Sequence, residues 1–448
     1  MPAALADSAL YRGLFGDDET AQLFTDSAEV RAMLLVEGAL AKVQGALGMI
    51  PAESAAFLHR ATLEIQIDPA GLSAETAVNG VPVPALVAAF RKAANAPEHA
   101  QYLHWGATSQ DIAETGLNLR LRRVIALWDA RLVALIAALG RLAAAHAELP
   151  MAARTYGQTA TPTSFGAQVA NWGAPLIRHR ARLAELKPRL LRVSLGGAAG
   201  TLSAMGSQGA EVRAGLAEAL ALADPLGSWH PERDGLGEFA GWMAGLMASL
   251  GKIGEDLLIA TQSGIGEVSV AGGGGSSTMP QKQNPVGPSV LVALARQVIG
   301  LSAVMQGAGL HRQQRDGAAW FTEWLTLPQL CLSTGKGLAL ALDLAGRISP
   351  NPAAMTRGLN EGGGLILAEA LSFALAERMP RPEAQARVKA LCKEVMAGAD
   401  SLTDLATRDC PGTDWAATLS GPQALGEAPA EARRFAEAEA EVAGEAAG

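Results

Sequence analysis

The sequence is poor in cysteine and has fewer basic than acidic residues. Its 448 residues include three cysteines, Cys331, Cys392 and Cys410, which are too few and too widely spaced for a disulfide framework or a zinc site. We therefore expect a protein of the reducing cytoplasm. The 44 acidic residues outnumber the 36 basic ones, and the net charge of −8 argues against a nucleic-acid partner.

Signals for export, for a membrane and for a cofactor are also missing. The N-terminal stretch MPAALADSALYRG lacks the basic start and the continuous apolar core of a signal peptide. The uncharged run of residues 193–210 is interrupted by five glycines and is not expected to span a membrane. GLGEFAG, residues 235–241, lacks the spacing of a dinucleotide-binding loop, and there is no metal-ligand cluster. The sequence predicts no cofactor, no metal and no membrane partner.

Aromatic residues make up only 4% of the chain, whereas alanine, leucine and glycine are abundant. This composition favours closely packed helices over sheets. Helical spacing of apolar residues predicts a helix over residues 29–47 and unusually long helices in the middle of the chain. The long stretches are 112–149, 165–186, 237–270 and, with interruptions, 286–344.

These patterns predict an all-α chain in three parts. The parts are an N-terminal helical domain (1–105), a central bundle of long helices (106–348) with a glycine-rich loop near 272–285, and a C-terminal helical domain (349–448). Such long helices have more apolar surface than one bundle covers, so we expect self-association. The acidic, alanine-rich end of the chain is expected to be frayed.

Polar residues gather at the start of the first long helix, in HWGATSQD (104–111). Thr108 and Ser109 supply hydroxyls and backbone N–H groups at a helix N-terminus, where anions are favoured. The alternative is ordinary capping by Ser109 or Asp111. His104 allows either anion binding or a structural hydrogen bond to the backbone.

A second polar cluster, ARTYGQTATPTSFG (153–166), precedes the next long helix. Tyr156 is as consistent with a buried structural tyrosine as with a catalytic one. Gln158 has the donors and acceptor to orient a carboxylate, or to complete a turn.

The third segment, GGGGSSTMPQKQNP (272–285), combines backbone freedom with reactive groups. A flexible linker is the simpler interpretation. The short spacing of a hydroxyl, a cation and an amide at Ser276, Lys282 and Asn284 instead favours a loop that carries catalytic groups.

Together the three segments resemble the fumarase/aspartase superfamily over nearly the whole chain. The third segment contains its signature, G-S-S-x-M-P-x-K-x-N-P, and the first two are similar to its T-S-x-D and R-T-x-x-Q regions. The resemblance implies a homotetramer in which the three segments meet from three subunits. It implies that Ser276 exchanges the proton at the carbon next to a carboxylate, and that Lys282 and Asn284 bind that carboxylate. The other substrate-binding positions that we expect are His104, Thr108, Ser109, Thr155, Gln158, Ser277 and Arg315.

One position departs from the lyases of this superfamily, which typically have a histidine where this chain has Tyr156. A phenol with a pKa near ~10 is a weaker acid than imidazolium, whereas a carboxylate with a pKa near ~4 leaves or attacks without a proton. Lactonisation of a carboxylated muconate fits this chemistry. HWGATSQD, the non-histidine second segment and RDGAAWFTEW are similar to the muconate-cyclising branch of the superfamily.

This branch implies a small tricarboxylate substrate, a step in the protocatechuate branch of the β-ketoadipate pathway, and a site built on Ser276, Lys282 and Tyr156. Whether Tyr156 transfers a proton or only binds substrate stays open. Two alternatives remain: an adenylosuccinate- or argininosuccinate-type lyase that releases fumarate, and a non-catalytic structural protein on the same fold.

Overall fold

The computed structural model describes residues 5–275, 278–420 and 422–447. Helices account for most of these residues, and the strands assigned within them are short. The prediction of an all-α chain is therefore confirmed. Ser276 and Ser277, which carry two of the predicted site positions, lie outside the described residues.

The helices of the N-terminal part are short apart from α3. They are α1 (Arg12–Phe15), α2 (Asp18–Ala21), α3 (Asp26–Ala46), α4 (Ala52–Glu64), α5 (Ser73–Asn79), α6 (Val83–Ala94) and α7 (Pro97–Ala100). The middle of the chain has long helices and one short one: α8 (Ser109–Ala145), α9 (Phe165–Leu190), α10 (Gly209–Leu220), α11 (Asp234–Ala260), α12 (Val286–Ala308) and α13 (Gly317–Ala345). The C-terminal helices are α14 (Pro352–Asn360), α15 (Ala368–Ala376), α16 (Arg381–Met396), α17 (Leu402–Asp409), α18 (Trp415–Ser420) and α19 (Ala428–Ala447).

The strands pair two by two, and every pair is antiparallel. The pairs are β1 (Pro150–Thr155) with β2 (Gln158–Ser164), β3 (Val268–Val270) with β6 (Ile348–Pro350), and β4 (Gly274–Gly275) with β5 (Gln283–Asn284). Short 3-10 segments occur at Gln22–Phe24, Pro69–Leu72, Ser203–Gln208, Leu365–Leu367 and Pro422–Leu425.

Most of the long helices predicted from the sequence are present, with two differences. The stretch predicted as one helix over 237–270 ends as a helix at Ala260, and its last three residues form β3. Gly264 and Gly266 lie between α11 and β3 and adopt left-handed backbone angles, which a continuous helix does not allow. At the C-terminus, the end that we expected to be frayed forms the regular helix α19.

The chain divides into two compact units, and the boundaries fall inside long helices. The first unit contains residues 5–130, 179–248 and 294–339, and the second contains 131–178, 249–293 and 340–447. The three-part division at residues 105 and 348 stays a prediction.

In the first unit, small residues let α3 and α4 approach closely. A Cβ atom at Gly38 would lie 2.0 Å from the Thr62 hydroxyl oxygen, and one at Gly45 would lie 2.2 Å from the Cβ of Ala55. Glycine at both positions therefore permits the contact. Thr25 caps α3 by accepting a hydrogen bond from the N–H of Ala28.

In the second unit, the start of α9 is fixed at the base of the β1–β2 hairpin. Phe165 is buried and packs edge-on against Trp172. The Asp256 carboxylate on α11 accepts hydrogen bonds from Gln168 (2.8 Å) and from the Trp172 indole (2.7 Å). These contacts hold the second polar segment on a rigid support.

One described helix, α12, is long and apolar enough to cross a membrane by length and composition, with a mean hydropathy of 1.6. Half of that stretch is buried inside the protein. A core helix of a globular protein meets the same criterion, so a single such helix is a weak indication of a membrane span.

Candidate active site

One face of α8 holds the extended segment 192–197 through side chains placed about one turn apart. Asn118 donates to the carbonyl of Arg192 (2.7 Å). The Thr115 hydroxyl donates to the carbonyl of Ser194 (3.0 Å) and accepts from its N–H (2.8 Å). Asp111 continues the series at the N-terminus of the helix.

The Asp111 carboxylate is fully buried and receives four hydrogen bonds. Its Oδ1 accepts from the N–H of Gly196 (2.8 Å) and from His230 Nε2 (2.7 Å), and its Oδ2 accepts from the N–H groups of Gly197 (2.9 Å) and Thr108 (3.0 Å). The bond to Thr108 is the N-terminal capping interaction that the sequence allowed. Because the same carboxylate holds two other segments, it fixes the position of Thr108 and Ser109, which are half-buried.

Arg315 lies beside this first segment. Its Nε donates to the side-chain oxygen of Gln110 (2.8 Å), and one terminal nitrogen donates to the carbonyl of Ala198 (3.3 Å). Its other terminal nitrogen lies 3.5 Å from His230 Nδ1. A guanidinium has five N–H donors, so these three contacts leave two of them available at an exposed side chain.

A buried cluster of charged residues, Arg233, Glu114 and Glu323, holds the side chain of Gln110. Arg233 forms a two-pronged pair with Glu323 (2.7 and 2.6 Å) and also contacts Glu114 (2.7 Å), while Gln110 donates to Glu114 (2.8 Å). Burial alone would lower the pKa of Arg233, but the two carboxylates outweigh it and raise that pKa. Burial raises the pKa of Glu114 despite the attraction of Arg233. Through Glu114 this cluster fixes the side-chain amide of Gln110, and the oxygen of that amide in turn accepts the hydrogen bond from Arg315.

His104 is bonded to a buried carboxylate, not to the backbone. Its Nδ1 lies 2.7 Å from Oε1 of Glu37, whose side chain is 1% exposed. Burial would lower the pKa of His104, but the hydrogen bond to Glu37 and the charges of Glu37 and Asp111 outweigh burial and raise it. The backbone at His104 is left-handed, with φ of 67°. The pair presents a partly exposed imidazole that favours the protonated form.

The second segment forms the β1–β2 hairpin, which periodicity did not predict. Thr155 pairs with Gln158 across a two-residue turn in which Tyr156 and Gly157 have φ angles of 53° and 74°. Two successive left-handed residues define the tight turn that suits hairpins. Tyr156 is fully exposed at its tip, so the interpretation as a buried structural tyrosine is wrong. Thr155 and Gln158 are exposed beside it.

The hairpin is linked to the strand that leads into the third segment. Arg154, next to Thr155, forms a two-pronged pair with Glu267 at 2.7 and 2.9 Å, and Glu267 is 2% exposed. The hydrogen bond that Arg154 donates to the Glu267 carboxylate raises the pKa of Arg154. Glu267 directly precedes β3, so this pair sets the second segment against the chain that enters the glycine-rich loop.

The third segment is closed at its base by β4 and β5, in which Gly274 pairs with Asn284 and Gly275 with Gln283. Asn284 is half-buried, and Lys282 is exposed. Arg347 donates to the carbonyl of Ala271 (3.1 Å), next to Gly272. A Cβ at Gly272 would lie 2.9 Å from that guanidinium, so glycine there permits the contact. The loop base is ordered by the backbone and by one arginine.

The structure places the predicted site residues in two groups. The first unit holds His104, Thr108, Ser109 and Arg315, and the second holds Thr155, Tyr156, Gln158, Lys282 and Asn284. The roles of these residues, and of Ser276 and Ser277, stay predictions.

Sequence reasoning missed the residues that position the first group, above all His230, Gln110 and Glu37. Part of this network has a readable signal: polar residues at 111, 114, 115 and 118 recur at helical spacing in an otherwise apolar helix. His230 has no such signal, because it reaches Asp111 across more than a hundred residues.

The fold defines a class of proteins: all-α chains with long helices, in which three polar segments lie next to the ends of those helices. A family model described as lyase matches residues 9–300, and the chain belongs to this lyase family. The resemblance to the fumarase/aspartase superfamily, and within it to the muconate-cyclising branch, is confirmed by the relatives.

The chain is 41% identical over 379 residues to the 3-carboxy-cis,cis-muconate cycloisomerase of Pseudomonas aeruginosa, covering 84% of this chain and 83% of the relative. It is 38% identical over 393 residues to the enzyme of the same name from Pseudomonas putida, covering 87% and 93%. The crystal structure of the 3-carboxy-cis,cis-muconate lactonizing enzyme from Pseudomonas putida superposes with a TM-score of 0.91 at 34% identity, covering 97% of this chain and 100% of that one.

Proposed function

We propose that this enzyme is an intramolecular lyase, a cycloisomerase that lactonises 3-carboxy-cis,cis-muconate to 4-carboxymuconolactone in the protocatechuate branch of the β-ketoadipate pathway. The observation that carries the proposal is Tyr156 at the exposed tip of the hairpin, where the lyases of the superfamily have a histidine, in a chain 41% identical to a cycloisomerase. A reaction that needs no acid for its leaving group accounts for this substitution.

Positive groups and helix N–H donors supply the binding of a tricarboxylate. In the first unit these are Arg315, the His104 imidazole and the N-terminus of α8 at Thr108 and Ser109. The chain as a whole carries a charge of −8, so a local concentration of donors is required to attract such an anion. We assign these residues to the carboxylates that do not react.

The chemistry is assigned to the third segment. One carboxylate oxygen of the substrate attacks the β-carbon of a neighbouring unsaturated acid, forming the C–O bond of the lactone. The π electrons move into that acid as an aci-carboxylate, which Lys282 and Asn284 stabilise. The Ser276 hydroxyl gives its proton to the α-carbon, and Lys282 stabilises the resulting alkoxide until it takes a proton from solvent water, so that the reaction consumes one solvent proton overall. Thr155, Gln158 and Ser277 bind substrate, and Tyr156 either binds it or assists the proton transfer.

A homotetramer with shared active sites is part of the proposal. Five apolar side chains on α12 and α13 are 37–72% exposed in the single chain: Ile299, Val304, Phe321, Trp324 and Leu325. Contact with other copies would remove this surface from water. We place the enzyme in the cytoplasm, without a nucleic-acid or membrane partner.

Incubation of the purified enzyme with three substrates tests the function. We expect loss of the diene absorbance of 3-carboxy-cis,cis-muconate, and no fumarate from adenylosuccinate or argininosuccinate. Release of fumarate without turnover of the muconate would support the lyase alternative and overturn the assignment. Absence of turnover with all three would favour the structural alternative.

The His104–Glu37 pair makes substrate binding depend on pH. The pKa of His104 is raised, so its charge persists to higher pH than that of a free imidazole and is lost as the pH rises through the folded-state pKa. We therefore expect KM to increase by about tenfold as the pH rises through the pKa of His104, because the loss of one charge-assisted hydrogen bond weakens binding by about that factor. In Glu37→Gln the pKa of His104 falls, so the increase in KM begins at lower pH.

KM measured from about pH 5.5 to about pH 9 checks this expectation, since that range spans the titration of histidine. Glu98→Gln is the matched control, because it removes a solvent-exposed carboxylate beside another histidine, His99. Its KM profile should coincide with that of the wild type. Coincident profiles for wild type and Glu37→Gln would remove His104 from the binding site.

A further inference from the structure

His230 is buried and has a ring nitrogen directed at each of two groups of the candidate site. Its side chain is 2% exposed. Nε2 lies 2.7 Å from Asp111 Oδ1, and Nδ1 lies 3.5 Å from a terminal nitrogen of Arg315. Asp111 can only accept when ionised, and the Arg315 guanidinium can only donate. The imidazole that satisfies both is neutral, with the proton on Nε2 and the lone pair on Nδ1.

The ring is held in this position from several sides. The His230 carbonyl accepts from Gln110 (3.2 Å) and from Arg233 (3.4 Å). A Cβ at Gly196 would lie 3.0 Å from the imidazole, so the ring packs closely on that glycine. The ring of the neighbouring Trp229 contacts the guanidinium groups of Arg192 and Arg233, whose central carbons lie 5.0 and 5.1 Å from the ring centre. The backbone is thus anchored independently of the ring.

Three acceptors contact the guanidinium of Arg315: the side-chain oxygen of Gln110, the carbonyl of Ala198 and the imidazole of His230. Gln110 fixes Nε and the carbonyl of Ala198 fixes one terminal nitrogen. The contact with Nδ1 fixes the second terminal nitrogen, which sets the rotation of the guanidinium plane. Asp111, on the opposite side of the ring, holds the N–H of Thr108. His230 therefore couples the orientation of Arg315 to the N-terminus of α8.

We propose that His230 is a positioning residue. Asp111 fixes the tautomer of its imidazole, and the Nδ1 lone pair then orients Arg315 so that the two remaining N–H donors of Arg315 face a substrate carboxylate. His230 does not touch the substrate and transfers no proton. The inference rests on the proposed function, because it takes Arg315 as a carboxylate-binding residue.

Two substitutions separate the role of the ring from its bulk. His230→Leu removes both nitrogens, and we expect KM for the muconate to rise by about 10- to 100-fold, the contribution of a hydrogen bond to a charged group. The change in kcat should be smaller, because Arg315 holds the carboxylate equally in the ground state and in the transition state. His230→Gln keeps an N–H for Asp111 and an oxygen for Arg315, and should restore most of the lost affinity. His179→Leu removes another buried histidine of the same unit and should leave KM unchanged.

A double-mutant cycle with Arg315→Gln distinguishes a role that acts through Arg315 from a merely structural role. It compares the KM values of the two single variants with that of the double variant. If His230 acts through Arg315, adding His230→Leu to Arg315→Gln should raise KM further by less than about twofold, because the two changes remove one interaction. Full multiplication of the two single effects would overturn the proposal, as would a His230→Gln variant no better than His230→Leu.

Failure of the proposed function is distinguishable from failure of this inference. If the wild type does not turn over the muconate, the function is wrong, and the same variants are titrated with tricarballylate by calorimetry. A loss of affinity in His230→Leu that disappears in the Arg315→Gln background would still support the positioning role. Equal affinity of wild type and His230→Leu for tricarballylate would refute it.

Discussion

Ser276→Ala should lower kcat for lactonisation by about 10²- to 10⁴-fold, the usual contribution of a positioned proton donor or acceptor. The proposed reaction needs one proton at the α-carbon and no acid for a leaving group, and Ser276 is the residue assigned to supply that proton. Removing one oxygen from a serine changes little else. Assembly and the melting temperature should stay close to those of the wild type, and KM should change less than kcat.

Ser289→Ala is a suitable control for this variant. Ser289 follows the same loop, is exposed, and donates its hydroxyl to the carbonyl of Pro285 in the first turn of α12. We expect its kcat to equal that of the wild type. A Ser276→Ala enzyme with unchanged kcat would show that another group carries the proton, and Tyr156 would then be the first residue to substitute.

The long helices were predictable because their pattern is local. In α3 and α8, apolar residues recur at the helical period over five turns or more, and the stops are glycines or prolines that the sequence shows directly. The β1–β2 hairpin was not predictable in this way. Its turn is Tyr156–Gly157, and a tyrosine with positive φ is not among the residues that mark such turns.

The strand β3 shows the same limit at shorter range. Residues 268–270 were included in a predicted helix, but they pair with 348–350 as a strand. A partner some eighty residues away is a tertiary contact that a local pattern does not show. The sequence segments that carry the candidate site were identifiable, but which side chains support them depends on contacts of this non-local kind.

The support of the first segment illustrates why those contacts matter for function. Thr108, Arg315 and His230 belong to three separate stretches of sequence, and one carboxylate, Asp111, or its direct neighbour Gln110 touches each of them. The motif T-S-x-D is therefore more than a helix cap. Its acidic residue holds Thr108, His230 and the backbone at Gly196 and Gly197, while the threonine and serine before it are the residues to which we assign substrate binding.

Asp111→Asn should be among the most destabilising single substitutions in the first unit, lowering the free energy of unfolding by about 3–5 kcal/mol, as expected when a buried charged hydrogen-bond network loses its acceptor. The amide has one oxygen for the four donors that now surround the carboxylate. If its NH₂ group faces Gly197 and Thr108, two backbone N–H groups lose their acceptor. If it faces His230, the imidazole can change its tautomer to accept, but the N–H of Gly196 is still left unpaired.

Urea unfolding of the wild type and the variant measures this effect, and kcat/KM should fall together with stability because Thr108 and the tautomer of His230 are disturbed at the same time. Asp18→Asn is the matched control: Asp18 pairs with Arg12 at the surface, where both side chains are more than half exposed. A surface pair contributes only about 0–1 kcal/mol, so this variant should unfold almost as the wild type does. An Asp111→Asn protein that is as stable as the Asp18 control would mean that the four hydrogen bonds do not organise the site, and that the N-terminus of α8 is held by packing alone.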